Sequence, residues 1–410
     1  MYLATIAMER SVMTLRVLFV DDDAKLLRGM ERMLDASELD WAIETAESGH
    51  EALDLLQHSQ YDVVVTDMQM PEMDGAELLS KISKRYPEVV RIILSGQADK
   101  ESVFRAVTPM HQYLSKPCKA SELKDTIQRA NALKFVLAET EHHGLIGSIS
   151  ALPSVPGLYQ EVVAEIEAEN GSAASIGDII AKDAAMTAKI LQIANSAIFG
   201  LRCRVTSPAQ ALSLIGLEAI KSLVLSIQVF KSFDGVSDPR FSVEKLMDHS
   251  IRVATFARSI ARSERLDKSL VDECFTSGLL HDVGKLILAT HASEKFSLTL
   301  DRREDQRVSS VVAERDLLGL GHDDLGAYLL SLWGLPQGIV EAVALHHSVD
   351  GCGSEHLNPA ALIFVANVLA HEIKGTSSPD DQSRCEEVLA NFGGGERLAE
   401  WRAIVEGDEN

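Results

Sequence analysis

Four short apolar runs in the first third of the chain each end on a chemically capable side chain, and that pattern admits few folds. Leu15-Arg16-Val17-Leu18-Phe19-Val20 runs into Asp21, Asp22 and Asp23. Tyr61-Asp62-Val63-Val64-Val65-Thr66 stops at Asp67, Val89-Val90-Arg91-Ile92-Ile93-Leu94 at Ser95-Gly96, and Tyr113-Leu114-Ser115 at Lys116-Pro117. Runs this short, separated by stretches of helical period, read as strands of a doubly wound parallel α/β sheet. Ligands of such a sheet gather at the carboxyl ends of its strands, so acids, a hydroxyl and an ammonium are brought to one point. Carboxylates crowded there repel unless a cation lies among them, and oxygen ligands favour Mg²⁺. One carboxylate with a metal, a hydroxyl and an ammonium around it is equipped to accept a phosphoryl group as an acyl phosphate.

With acid pair, acceptor, hydroxyl and Lys-Pro in this order, the N-terminal part resembles the receiver domain of bacterial two-component response regulators. The resemblance implies a flavodoxin-like sheet with strand order 2-1-3-4-5 and phosphorylation of Asp67 by a sensor histidine kinase. It further implies that Asp21 and Asp22 hold Mg²⁺ together with the Asp67 side chain and the Gln69 carbonyl. Ser95 would contact the phosphoryl oxygens and Lys116 would pair with them. Tyr113 matches the aromatic switch residue, although alone it would read as a core aromatic. Met70-Pro71-Glu72-Met73-Asp74-Gly75 matches the loop after the acceptor, with Gly75 opening the next helix. Asp23 reads as the cap of a helix from Ala24 to Leu34 rather than as a ligand.

A chain of 410 residues is too long for one core. Hydrophobic residues at 46% and charged ones at 24% are those of a soluble globular protein, expected in the cytoplasm. The net charge of −22 argues against a nucleic-acid output, which would want a basic face. Cys118, Cys203, Cys274, Cys352 and Cys385 are scattered and form no CxxC pair, as for reduced thiols without a disulfide framework or zinc site. The first residues, broken by Glu9 and Arg10, suit neither a signal peptide nor a membrane span, and membrane insertion is not expected.

The expected organisation is an N-terminal extension (1–14), the receiver (15–120), its last helix prolonged as a connector (121–143), an all-α domain (144–374), and a C-terminal helix with an acidic tail that frays (375–410). The connector helix opens at Ser121 and runs to about Thr140. In the helical half, period 3.6 predicts helices over Tyr159 to Glu167, Ile176 to Ala194, Pro208 to Phe230, Val243 to Ser263, Ser269 to Leu288 and Asp324 to Leu332.

Two phrases carry that half. Ile190-Leu191-Gln192-Ile193-Ala194-Asn195-Ser196 is followed by Ala211-Leu212-Ser213-Leu214-Ile215-Gly216. Later come His281-Asp282-Val283-Gly284-Lys285, Gly321-His322-Asp323, Trp333-Gly334-Leu335-Pro336 and His346-His347. Together they resemble the HDOD domain, a relative of the HD metal-dependent phosphohydrolases; Lys182-Asp183-Ala184 departs from it by lacking a proline after the aspartate. Imidazole and carboxylate are good divalent-metal ligands, so His249, His281, Asp282, His322, His346 and His347 form a candidate site, for Fe or Mn by the resemblance. His281 and Asp282 are read as neighbours within one helix, which sends their side chains about 100° apart.

Asn367 stands where the hydrolases place a last aspartate, and Lys245 precedes His249 where the HD-GYP branch has a glutamate. Gly-Tyr-Pro is missing after His347, while Lys285 is retained. The sequence therefore favours an HDOD output that signals by binding a downstream protein or a nucleotide second messenger, with a second copy of the chain as a further candidate partner. It also favours less than one tightly held metal per chain. The alternative is a phosphorylation-gated phosphodiesterase, acting for instance on cyclic di-GMP, with Lys285 in a catalytic role.

Overall fold

A computed structural model describes residues 15–35, 41–86, 89–95, 112–116, 118, 121, 123–124, 126–128, 156–168, 171–195, 205–233, 236, 238–306, 308–348, 357–375, 383–385, 387–388 and 394–409. The chain forms two compact units, one built mainly on residues up to Gly157 and the other mainly on residues from Leu158 onward.

In the first unit, β1 (Leu15–Val20), β2 (Trp41–Ala46), β3 (Val63–Thr66), β4 (Val90–Ser95) and β5 (Gln112–Ser115) form one parallel sheet in the order β2-β1-β3-β4-β5. That is the order the resemblance implies. All of β3 and residues 17–20 of β1 are buried, as strands covered on both faces should be. Val20 pairs with Ala46 on one side and Thr66 on the other, and the ladder continues one step: Asp21 N donates to Ala46 O at 3.2 Å and Asp67 N to Val20 O at 2.8 Å. Asp21 and Asp67 thus leave adjacent strands side by side.

Helices α1 (Ala24–Asp35), α2 (Gly49–His58) and α3 (Gly75–Arg85) complete the described part of this unit's secondary structure up to β4. Asp23 Oδ1 accepts from the backbone N–H of Lys25 at 2.8 Å and of Leu26 at 3.3 Å, the cap its position suggested. A Cβ on Gly75 would lie 2.2 Å from the Asp67 carbonyl oxygen, so only glycine lets α3 begin this close to the loop after Asp67. The described residues from Ser121 to Gln128 are helical; the rest of the expected connector lies outside the described residues.

The described elements of the second unit are all helices: α4 (Gly157–Glu167), α5 (Ala173–Ala181), α6 (Ala184–Ala194), α7 (Pro208–Ile215), α8 (Leu217–Ser232), α9 (Val243–Ser263) and α10 (Lys268–Leu280). They continue with α11 (Val283–His291), α12 (Ser293–Gln306), α13 (Ser310–Leu318), α14 (His322–Leu332), α15 (Gln337–Leu345), α16 (Pro359–Ile373) and α17 (Gly394–Glu409).

Three helices expected to be continuous are broken. Between α5 and α6, the Asp183 carboxylate accepts from Met186 N at 3.0 Å and starts a new helix. Between α7 and α8, Gly216 takes φ +100°, a value that no other residue adopts cheaply. Between α10 and α11 the chain turns at His281 and Asp282, so these two are not neighbours in one helix. The acidic end, expected to fray, is the last turn of α17. Trp401 of that helix is buried and donates Nε1–H to Glu264 Oε1 at 2.8 Å, and Arg402 pairs with Glu372 at 2.8 and 3.0 Å. No helix among the described residues is long and apolar enough to cross a membrane.

Candidate functional site

At the carboxyl edge of the sheet the Lys116 ammonium, which follows β5, contacts Asp21 Oδ2 and Asp67 Oδ1 at 2.6 Å each. Burial alone would lower the Lys116 pKa, but the two carboxylates outweigh it and raise the pKa. Asp67 Oδ2 accepts from Gln69 N at 2.7 Å, and Asp21 Oδ1 from Asp23 N at 2.9 Å. Asp22 is exposed beside them. Ser95 and Tyr113 lie on β4 and β5, but their side chains fall outside the described part of the protein. Buried carboxylate oxygens next to an exposed acid and a backbone loop form a donor set of hard oxygens, which fits Mg²⁺.

In the helical unit the predicted histidines, from helices far apart in sequence, converge on Asp282. Asp282 Oδ1 lies 3.2 Å from His322 Nε2 and 3.6 Å from His346 Nε2; Oδ2 lies 3.4 Å from His281 Nε2 and 3.9 Å from His249 Nε2. His347 Nε2 is 3.0 Å from His322 Nε2. The turn between α10 and α11 makes this convergence possible, because it frees His281 and Asp282 from the angular offset of a continuous helix. Close backbone packing supports it. A Cβ on Gly278 would lie 2.4 Å from Ala254 Cα, and one on Gly284 only 1.9 Å from the His322 carbonyl oxygen.

The ring orientations are fixed from behind. His281 Nδ1 faces Gly278 O at 2.8 Å and His346 Nδ1 faces Val343 O at 2.7 Å, and a carbonyl there requires Nδ1–H. His322 Nδ1 faces the buried Glu314 carboxylate at 2.6 Å. His281 and His346 therefore turn an Nε2 lone pair toward Asp282, the arrangement by which metal-ligating imidazoles are held. Among the described residues, His281 Nε2 and Asp282 Oδ1 are buried without a hydrogen-bond partner.

Burial pushes His249 down to about 3 and His281 and His347 well below the usual histidine value. Burial would also raise the Asp282 pKa, yet the Lys285 ammonium and the bond from His322 hold it well below the carboxylate range. For His322, burial is outweighed by Glu314, and its pKa rises to about 9. Lone pairs and a carboxylate packed this tightly need a positive charge among them, a proton or a metal ion, and the donor set fits a transition metal.

Two further residues take part that sequence reasoning did not single out: Glu314 behind His322, and His371, whose ring centroid lies 4.8 Å from that of His249. Glu314 carries a signal in hindsight, since Val311, Glu314 and Leu318 share the buried stripe of α13 and an acid does not belong in one. Lys245, which stands where the HD-GYP branch has a glutamate, is exposed; Lys285 is a cation that does reach the cluster, its Nζ 2.7 Å from Asp282 Oδ2. Asn367 Oδ1 lies 3.1 Å from His249 Nε2.

The response regulator receiver domain family matches residues 17–128, and the HDOD domain family residues 152–349. An uncharacterized protein of Treponema pallidum is 23% identical over 254 residues, covering 61% of this chain and 49% of the relative. The hydrogenase transcriptional regulatory protein HoxA of Cupriavidus necator is 34% identical over 116 residues, 28% of this chain and 23% of HoxA. The chain thus spans no more than about half the length of these relatives. Among solved structures, an HDOD domain protein from Geobacter sulfurreducens is similar over 68% of this chain and 97% of that one, at 19% identity and a TM-score of 0.47. The receiver domain of an HD domain-containing protein from Pseudomonas fluorescens is 31% identical, covers 31% of this chain and 100% of that one, and gives a TM-score of 0.28. The chain belongs to the proteins that join an N-terminal response regulator receiver domain to a C-terminal HDOD domain.

Proposed function

We propose that the protein is a cytoplasmic response regulator in which a sensor histidine kinase phosphorylates Asp67 and the HDOD domain passes the change on by binding a partner. The observation that carries this reading is the shared ammonium of Lys116, 2.6 Å from both Asp21 and Asp67. It supplies the positive charge that an acyl phosphate on Asp67 requires. An Asp67 carboxylate oxygen attacks the phosphorus, and the phosphorus–nitrogen bond to the kinase histidine breaks with its electron pair returning to the imidazole. Asp21, Asp22, Asp67 and the Gln69 carbonyl are the residues that would hold Mg²⁺, which offsets negative charge around the incoming phosphoryl oxygens. Lys116 then pairs with one of those oxygens, and Ser95 with another. Acetyl phosphate with Mg²⁺ should add one phosphoryl group to the wild type, seen by mass spectrometry, and none to Asp67→Asn. Equal labelling of the variant would remove this assignment.

A second reading concerns the cluster about Asp282, which the convergent Nε2 atoms favour as a metal centre, iron or manganese by family resemblance. The metal reading does not require turnover. Asn367 brings no charge to the site, and Lys285 already occupies an Asp282 oxygen. Cyclic di-GMP incubated with Mn²⁺ and the beryllofluoride-activated protein should therefore survive. Hydrolysis that disappears in His281→Ala and Asp282→Ala would establish a phosphodiesterase instead.

A further inference from the structure

A cavity of about 570 Å³ lies where the turn between α7 and α8 meets the turn between α9 and α10. That volume falls within the range of small-molecule pockets, about 300–1,000 Å³. Its walls are unusual for a chain with a net charge of −22. Arg258 and Arg262 come from α9 and Lys268 is the first residue of α10, so three cations line one space. Two acids, Glu218 and Asp272, line it as well, and Glu218 lies 3.6 Å from Lys221.

Arg258 is held in place before any ligand arrives. Its guanidinium lies 5.2 Å from the centroid of the Phe275 ring and donates to Ile215 O at 3.4 Å. Little rotamer freedom is then lost on binding. Burial and the nearby charge of Arg262 lower its pKa to about 10 against the opposing pull of Asp272. It stays charged near neutrality, in surroundings that stabilise the charge less well than water does.

The turn between α7 and α8 adds donors of a second kind. Gly216 precedes α8 without a side-chain cap, and Leu217, Glu218 and Ala219 of the first turn line the same cavity. Amides of a first turn lack intrahelical acceptors and favour a negative group. Beside them Leu214, 44% exposed, and Leu266 form an apolar wall. Cations on one side and leucines on the other suit a ligand with an anionic end and a flat, apolar body.

We infer that this cavity binds a phosphorylated small molecule of mononucleotide size, its phosphate on Arg258, Arg262 and Lys268 at the start of α8 and its base against Leu214 and Leu266. Asp272 and Glu218 accept from hydroxyl or amino groups of the ligand, and they disfavour one that is anionic throughout. The site is separate from the Asp282 cluster: Arg258 lies nine residues beyond His249 on α9, about 13.5 Å at the helix rise. It needs no metal and does not depend on phosphorylation at Asp67.

The full chain, freed of metal by chelator and desalted, is titrated calorimetrically with adenosine and guanosine monophosphates, and with adenosine and guanosine as phosphate-free probes. At least one of the nucleotides should bind once per chain, and its nucleoside about 10–100-fold more weakly, the effect of losing a charged hydrogen-bond partner. Arg258→Met, which keeps an apolar stem, and Arg262→Glu should weaken the nucleotide by a similar factor. Arg303→Glu, an equal change of charge on an exposed residue outside the cavity, should not. Circular dichroism establishes that each variant is folded. Nucleotide and nucleoside bound alike, or equal effects of Arg262→Glu and Arg303→Glu, would overturn the phosphate site. So would a folded Arg258→Met that binds as the wild type does. A wild type that binds neither nucleotide, or takes only a phosphoserine peptide, would overturn the ligand class.

Discussion

Glu314 Oε2 holds His322 at two points, accepting from its backbone N–H at 2.8 Å and facing its ring Nδ1 at 2.6 Å. His322 is the first residue of α14, so its N–H is one that the helix itself cannot satisfy. One buried carboxylate thus starts the helix, meets the positive end of its dipole and aims the imidazole.

Glu314→Gln should weaken divalent-ion binding by about 10–100-fold, the usual cost of losing a group behind a ligating histidine. Glu314→Ala should also destabilise the ion-free protein by about 3–5 kcal/mol, because it strips the partner from a buried imidazolium. Urea denaturation in chelator measures the second effect, and an unchanged midpoint in Glu314→Ala would contradict it.

Lys116→Met should destabilise the receiver by about 1.5–3 kcal/mol without Mg²⁺, since two carboxylates lose a charged donor. The same substitution should tighten Mg²⁺ binding, because the ammonium competes for those oxygens. Isothermal titration decides the point: weaker or unchanged Mg²⁺ affinity in the variant counts against it.

Gly284→Ala should cost at least about 1–3 kcal/mol, the range for overpacking, because its Cβ would meet backbone rather than a movable side chain. α11 must then part from α14, and His322 leaves its place opposite Asp282. A lower melting temperature together with lost ion binding is expected; a stable variant with full ion content would show that the helices can yield.

Glu264, at the end of α9, predicts a pH effect. Burial works to raise its pKa, but bonds from Arg397 and Trp401 outweigh it and leave the carboxyl below its ordinary value of 4.5. A lowered folded-state pKa gives stability that is complete above the ordinary value and is lost as pH falls through the folded one. Glu264→Gln should therefore destabilise by about 1.5–3 kcal/mol near neutrality, with the gap to wild type closing in acid. Parallel urea titrations at both pH values test this, and a gap that persists in acid would refute the assignment.

The receiver was legible because its strands are brief apolar runs whose last residues carry the chemistry, and Asp21, Asp67 and Lys116 meet as their positions suggested. The histidines were legible through their spacing along the sequence, and they converge on Asp282. Helix ends were harder to read. Apolar periodicity runs straight through Asp183, Gly216 and His281-Asp282, because the flanking helices bury residues on both sides of each break. The break at His281 was hidden for a further reason: both residues tolerate helical geometry, and only packing against α9 and α14 shows why the chain turns there. Glu314 was missed because, followed by Arg315 and Asp316, it reads as one more charge in a polar turn and gives no hint of its partner eight positions later.

His281 and His346 are anchored by one local device, each ring held against the carbonyl three residues back at the end of its helix. The direction of each Nε2 is consequently slaved to the last turn of α10 or α15. Tilting either helix by a small angle swings its imidazole out of register with Asp282, so the cluster acts as a caliper on the splay of those helices. Whatever spreads them must first release its grip, and whatever fills it sets their spacing.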